Sequence, residues 1–321
     1  MTEWPEFPVP GWHATRPTLH MFTQIVGKIR LALSPPINHY WHSTLYVSAS
    51  GLSTSTIPYR DGAFELEFDF VNHQLLVVTS WTPVKSVALE DRSVKSFYQE
   101  LMTTLRDLGI DVHIWTTPVE VAQRVPFEHD DAHATYDPAA AAALWHTLLQ
   151  VDRVFTTFRG RFLGKCSPVH FFWGGFDLAV TRFSGRRART YTGAAPFVHP
   201  HVMHASYSHE VCSAGFWPGD EAHPPSFYVY AVPQPTGFTE ASVSPAAATF
   251  DTSLGEFLLP YATAQSAADP DSVLLDFLQT TYAAAADLGH WDRELLEQEP
   301  PCECTPAEIA ALRGAAHAYA H

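Results

Sequence analysis

The strongest constraint on how this chain can fold is a gapless internal match. The window Lys28 to His42 aligns with the window Arg159 to Trp173 at an offset of 131 residues (28 onto 159, 39 onto 170). Lys28 falls on Arg159, Arg30 on Arg161, His39 on His170, Tyr40 on Phe171 and Trp41 on Phe172. What flanks the windows also agrees. Phe22, Ile25, Val26, Ile29 and Leu33 share one helical face before the first. Leu144, Leu148, Val151, Phe155 and Phe158 do so before the second. After each window the pattern turns to strands: His42–Ser50, Phe64–Phe70 and Leu75–Trp81 in the first half, with Asn72-His73 as a tight turn. In the second half the strands are Phe171–Phe183, Ala205–Phe216 and Phe227–Pro233. Glu65, Glu67 and Asp69 alternate with Leu66, Phe68 and Phe70, the mark of an antiparallel sheet with one solvated face. Each half closes with a helix, carried by Val94, Phe97, Leu101, Leu105 and Leu108, and by Val273, Leu274, Phe277 and Tyr282. Asp269-Pro270 is a helix-start signal.

The expectation is therefore an α+β protein of two similar halves, each helix–three antiparallel strands–helix, related by a pseudo-two-fold through internal duplication. The first half spans 1–117, a Pro-, Asp- and His-rich linker 118–137, the second half 138–298 and a tail 299–321. The tail carries Cys302 and Cys304, with a peripheral helix expected at Ala310–Ala320.

Composition narrows the function. The formal net charge of −15 argues against nucleic acid or an anionic membrane surface as partner. There is no apolar run long enough for a membrane span, and Met1 to Pro5 shows no secretory leader. With four cysteines and no leader, reduced thiols and a cytoplasmic setting are expected. No dinucleotide fingerprint, Walker lysine, nucleophile elbow or H-E-x-x-H motif occurs, so no nucleotide cofactor is expected.

The 18 histidines nearly equal the 19 lysines and arginines together. His39 and His170, at equivalent positions, read either as core histidines or as imidazoles converging near the pseudo-axis. Lys28-x-Arg30 reads as cations complementing a helix C-terminus. Gly174-Gly175 inside a strand signals a bulge or a close approach by backbone or ligand. Asp177 is a lone acid in an apolar strand, paired to Arg182, Arg186 or Arg187, or chemically active. Arg182, Arg186, Arg187 and Arg189 either clamp an anion or neutralise a turn. His199, His201 and His204 suggest metal ligation, but in a Pro-rich loop. Tyr207, His209 and Ser213 share a strand face, and His209 with Glu210 cannot both enter one site without a bulge.

Several segments together resemble one bacterial family, known as domain of unknown function number 5996. They are Val26 to His39, His42 to Ala49, Glu65 to Phe70, Gly164 to Trp173, Tyr207 to Glu210 and Gly215 to Gly219. The resemblance runs from about Trp4 to Glu297. It implies that His20, His39, His42, His170, Asp177, His209 and Glu210 occupy family positions, and it carries no activity. The residue reading expects a metal-dependent enzyme, oxidative or hydrolytic, acting on a small aromatic or anionic molecule. Its pocket lies where the halves meet. His39, His42, His170 and His209 would hold a transition metal, iron first, with zinc or copper as alternatives. Asp177 and Glu210 would be the catalytic carboxylates, and Trp41, Trp173, Tyr207, Arg182 and Arg186 the ligand-binding side chains. The alternatives are a non-catalytic small-molecule-binding protein, with Trp217 in its wall, and a metal-free His/carboxylate acid–base enzyme.

Overall fold

The computed structural model describes residues 4–191 and 198–298. Residues 299–321, with Cys302, Cys304 and the expected helix at 310–320, lie outside the described residues. The chain is α+β, with helices packed on antiparallel sheets. The first half runs α1 (Trp12–Leu33), β1 (Tyr46–Val47), β2 (Gly51–Ser53), β3 (Ile57–Tyr59), β4 (Gly62–Asp69), β5 (Gln74–Thr79), β6 (Lys85–Ala88) and α2 (Val94–Asp107). The second runs α3 (Pro138–Gly160), β7 (His170–Phe172), β8 (Asp177–Arg187), α4 (Pro200–Ser206), β9 (His209–Trp217), β10 (Ser226–Val232), β11 (Thr249–Asp251) and β12 (Glu256–Pro260). It ends with α5 (Tyr261–Gln265), α6 (Pro270–Leu288) and α7 (Arg293–Leu296). None of the described helices is long and apolar enough to cross a membrane.

The helix boundaries follow from local chemistry. Pro35 and Pro36 cannot continue α1, which stops at Leu33 with Ser34 already extended. Ser93 caps α2 by accepting from the Ser96 amide. Asp137 accepts from the Ala139 and Ala140 amides at the start of α3, with Pro138 in the first turn, and Asp269 and Pro270 repeat the device for α6. The apolar stripes then go inward: Phe22, Ile25, Val26, Ile29, Phe97, Leu101, Leu148 and Phe155 are fully buried.

Among the described residues each half contributes six strands, where the sequence pattern indicated three. The first sheet has the order β1-β2-β4-β5-β6, with β3 paired to β4; the second is β11-β12-β10-β9-β8-β7. They meet edge to edge. The Leu45 amide donates to the Phe171 carbonyl at 2.9 Å, and the Phe171 amide returns the bond at 2.7 Å.

Three expected strands differ. His42–Ser50 holds only the short β1, because Asn38–Tyr40 is a 3-10 turn with His39 and Tyr40 at φ 57 and 61. Ser43 and Thr44 then bond their hydroxyls back to the Tyr40 and Trp41 carbonyls, an alternative to the sheet ladder. Phe171–Phe183 is a hairpin: the Phe176 amide bonds the Phe172 carbonyl at 2.8 Å, with Phe176 at φ 62. This sets Asp177 opposite Phe172, on one sheet face, whereas uninterrupted alternation separated them. Finally, α4 takes up residues 200–206, so Tyr207 precedes the strand that begins at His209. The aligned histidines consequently occupy unlike backbone, His39 in a turn and His170 in β7.

Asp137→Ala is expected to cost about 1 kcal/mol through loss of the α3 cap. It should appear as a lowered urea midpoint at unchanged slope, with Asp137→Asn retaining most of the stability.

Candidate functional site: a cavity between the two halves

One face of the second sheet packs on α3 and α6 and carries Leu178, Val180, Ala214 and Phe216, all buried. The other face floors a cavity of about 650 Å³. Strand register assembles the floor. Thr181 lies opposite Ser213, and Ser213 opposite Tyr230; Ala179 lies opposite Gly215, and Gly215 opposite Tyr228. Gly215 must be glycine here, since a Cβ would sit 2.1 Å from the Tyr228 ring. The remaining walls come from the end of α1, the turn at His39–Ser43, the segment 113–120 and α4. The cavity therefore joins both halves through Trp41, Trp115 and Trp173.

One stripe of α1 positions this cavity. His20, Gln24, Gly27, Lys28 and Leu31 follow helical spacing, and the three polar side chains among them are buried. His20 Nε2 donates to the carbonyls of Trp173 (3.0 Å) and Gly174 (2.9 Å). Burial first, then the Arg16 charge, pushes this imidazole down to about 3, so it stays neutral. Gln24 grips one residue of the linker from both sides: the Val119 amide donates to Oε1 at 2.9 Å, and Nε2 donates to the Val119 carbonyl at 2.8 Å. Trp173 lies directly on Gly27 and donates its indole N–H to the Ser43 carbonyl at 2.6 Å.

These grips bring two carboxyl groups together. Glu120 follows the clamped Val119 at φ 56, in the left-handed region that only a held backbone sustains for such a residue. Its carboxylate rests on Gly174, where a Cβ would meet Oε1 at 2.1 Å. Asp177 lies on the other side of the Gly174-Gly175 turn and accepts from the Tyr228 hydroxyl. Burial pushes Asp177 up to about 6, against the Tyr228 hydrogen bond, which lowers it. Burial and then the Asp177 charge push Glu120 up to about 7. Glu256, in β12, is raised to about 7 by burial and then by the Asp177 and Asp251 charges. Glu120 is itself exposed to solvent where it lines the cavity.

The histidines separate. His39 reaches the cavity rim, but both ring nitrogens are engaged. Lys165 donates to Nε2 at 2.7 Å, and Nδ1 donates to the Ala205 carbonyl at 3.0 Å. His209 lies 6.0 Å from His39, ring to ring, with Nδ1 against the Ser208 hydroxyl. His170 is fully buried beneath Trp41, with Nδ1 on Thr44, and its pKa is pushed down to about 3 by burial and then by Arg30. His42 stacks on Tyr40 and accepts the Ile37 amide at 3.1 Å. Among the described residues no group of three or more His, Cys, Asp or Glu converges as a metal would require. The expected four-histidine ligand set is not assembled among the described residues: His39 is held by Lys165 and the Ala205 carbonyl, and His170 bonds Thr44 through Nδ1, its buried Nε2 having no hydrogen-bond partner.

Of the other expected residues, Trp41, Trp173, Asp177 and Tyr207 line the cavity, and Tyr207 reaches the Tyr230 hydroxyl at 3.1 Å. Arg182 faces the opposite way, fully buried, with its guanidinium 3.4 Å above Phe158 and 4.3 Å from the Tyr282 ring. Arg186 and Glu210 pair outside the cavity, and Arg186 also holds the His290 carbonyl at 3.0 Å, beyond the end of α6. His199 and His201 line the cavity from the start of α4. The sequence pattern does not single out Glu120, in the linker, or Gln24; Lys28 reads there as a helix-end cation, and His20 enters only through the family resemblance. The i, i+4 spacing of His20, Gln24 and Lys28 is the visible signal that joins the three.

Fold and cavity define a two-sheet α+β protein with an aromatic-walled cavity that Glu120 and Asp177 line. The chain belongs to the Family of unknown function (DUF5996), whose family model matches residues 4–298. No curated protein and no solved structure matches it.

Gly27→Ala sets helix propensity, a gain of about 1 kcal/mol, against a Cβ 2.1 Å from Trp173 Cδ1. Overpacking costs about 1–3 kcal/mol and wins; thermal unfolding should show net destabilisation. For Glu120, a folded-state pKa above the unfolded one means stability present below about 4.5 and lost as pH rises through about 7. Glu120→Gln removes that loss, so urea unfolding should find the variant more stable than wild type at pH 8. The advantage should vanish by pH 4.

Proposed function

We propose that the protein is an acid–base enzyme that works on a small, largely apolar or aromatic molecule held in the cavity between the halves. The observation that carries this reading is the Glu120–Asp177 pair: two carboxyls raised by burial, Glu120 further by the Asp177 charge, facing an apolar cavity of ligand size. Asp177, steadied by Tyr228, is the base. Glu120, with the higher pKa, is the acid. In a hydrolytic step Asp177 takes a proton from the attacking water and Glu120 gives one to the leaving group. Trp41, Trp115, Trp173 and Tyr230 hold the substrate's apolar body.

This replaces a histidine-held metal as the source of the chemistry and retains the small molecule as partner. The shared helix–antiparallel sheet–helix order of both halves supports descent by duplication. The free thiols Cys166 and Cys212 support a reducing, cytoplasmic setting.

Turnover of a panel of small aromatic esters and amides tests the reading. The profile of kcat/KM against pH should rise through about 6 and fall through about 7. Asp177→Asn should lower kcat/KM by about 10²-fold or more, and Glu120→Gln should remove the alkaline limb. Turnover by both variants at the wild-type rate and pH profile overturns the assignment.

A further inference from the structure

Lys28 is not used by the carboxylate mechanism, and its position is unusual for a lysine. It sits near the end of α1, lines the cavity and is only 6% exposed. Its ammonium does not cap α1. It reaches across to the segment 115–117, donating to the Trp115 carbonyl at 2.9 Å and to the Thr117 carbonyl. Two of its three N–H donors are thus spoken for. The charge lies 4.9 Å from the Trp115 ring centroid and 5.3 Å from that of Phe127. No carboxylate is in ion-pair contact with it among the described residues. Arg124 is the charge that acts on it, and it is of like sign.

We propose that Lys28 is a nucleophile, condensing with the carbonyl group of a small aromatic aldehyde or ketone bound in the cavity. The balance is simple. The ammonium and the carbonyl compound give a protonated imine and one water; the carbonyl oxygen leaves with the two protons shed by nitrogen. The ammonium at the start and the protonated imine at the end carry the same charge on the same nitrogen, beside the rings of Trp115 and Phe127, so the net reaction buries no new charge. Burial, and then Arg124, brings the amine down to about 8, so the uncharged form that attacks is present at neutral pH. The carbonyls of Trp115 and Thr117 fix the nitrogen in place, and Trp173, seated on the adjacent Gly27, walls the same end of the cavity.

This inference shares the cavity with the acid–base reading but does not depend on Glu120 or Asp177, and its readout is a mass, not a rate of turnover. The sequence makes the test clean, because Lys28, Lys85, Lys95 and Lys165 are its only lysines. The full chain is treated with benzaldehyde and sodium cyanoborohydride, which supplies the hydride that traps the imine as a benzylamine, and is then mapped by peptide mass spectrometry. At pH 7.5 the peptide bearing Lys28 should be labelled about 10²-fold faster than those bearing the other three. Those three do not line the cavity, and Lys165, which burial also lowers, has its amine on His39 Nε2. The chain's α-amino group, ordinarily near 8, is mapped separately as a reference for reaction at a free amine. In 8 M urea the preference for Lys28 should disappear. Lys28→Arg should abolish the fast adduct while retaining the wild-type melting temperature. Should that variant unfold, the wild-type mapping decides alone. Labelling of Lys85, Lys95 and Lys165 at or above the rate of Lys28 in the folded chain overturns the proposal.

Discussion

Everything at the cavity depends on the burial of one polar stripe of α1. His20, Gln24 and Lys28 sit one turn apart on a helix whose other face is committed to the core, and each spends its donors on backbone carbonyls of other segments. Buried polar groups must be paired, so such side chains dictate where the partner backbone lies. His20 places the 173–174 turn, Gln24 places Val119 and Lys28 places the 115–117 stretch. The segment 118–137, loop-like by composition, becomes a wall of the cavity by this means.

The consequence is a set of like charges brought close in an apolar place. Glu120 sits in left-handed backbone, against Gly174, near Asp177, and repulsion and desolvation both resist its ionisation. Such an arrangement opposes stability and persists because the extensive aromatic core and the paired sheets over-determine the surrounding backbone. Arg182 shows the opposite use of a buried charge. It is sandwiched between Phe158 and Tyr282 under the sheet, where it holds α3 and α6 to β8 and is shielded from the cavity.

Legibility in the sequence followed the range of the interaction. The capped helices could be read locally, because Ser93, Asp137 and Asp269 satisfy amides two or three residues away. The β4–β5 hairpin was readable from the alternation of Glu65 to Phe70. Trp41, Trp173 and Asp177 were picked out by composition and do meet in the cavity. Glu120 was not, since nothing near it in sequence marks it; its meaning comes from Gln24, which holds the preceding Val119 from 95 residues away along the chain. The histidine excess misled for a related reason. Ring nitrogens are as well satisfied by carbonyls as by metals, and only coordinates tell which partner each one has.

The sequence by itself determined the helices, the antiparallel alternation and the kinds of residue available for a site. These depend on contacts within a few residues, or on the period of hydrophobicity. Tertiary structure alone decided that the sheets join at Leu45 and Phe171, that His39 lies in a turn while His170 lies in a strand, and that Asp177, Glu120 and Lys28 face one cavity. Those outcomes depend on which distant backbone groups a buried polar side chain can reach. No periodicity encodes that distance.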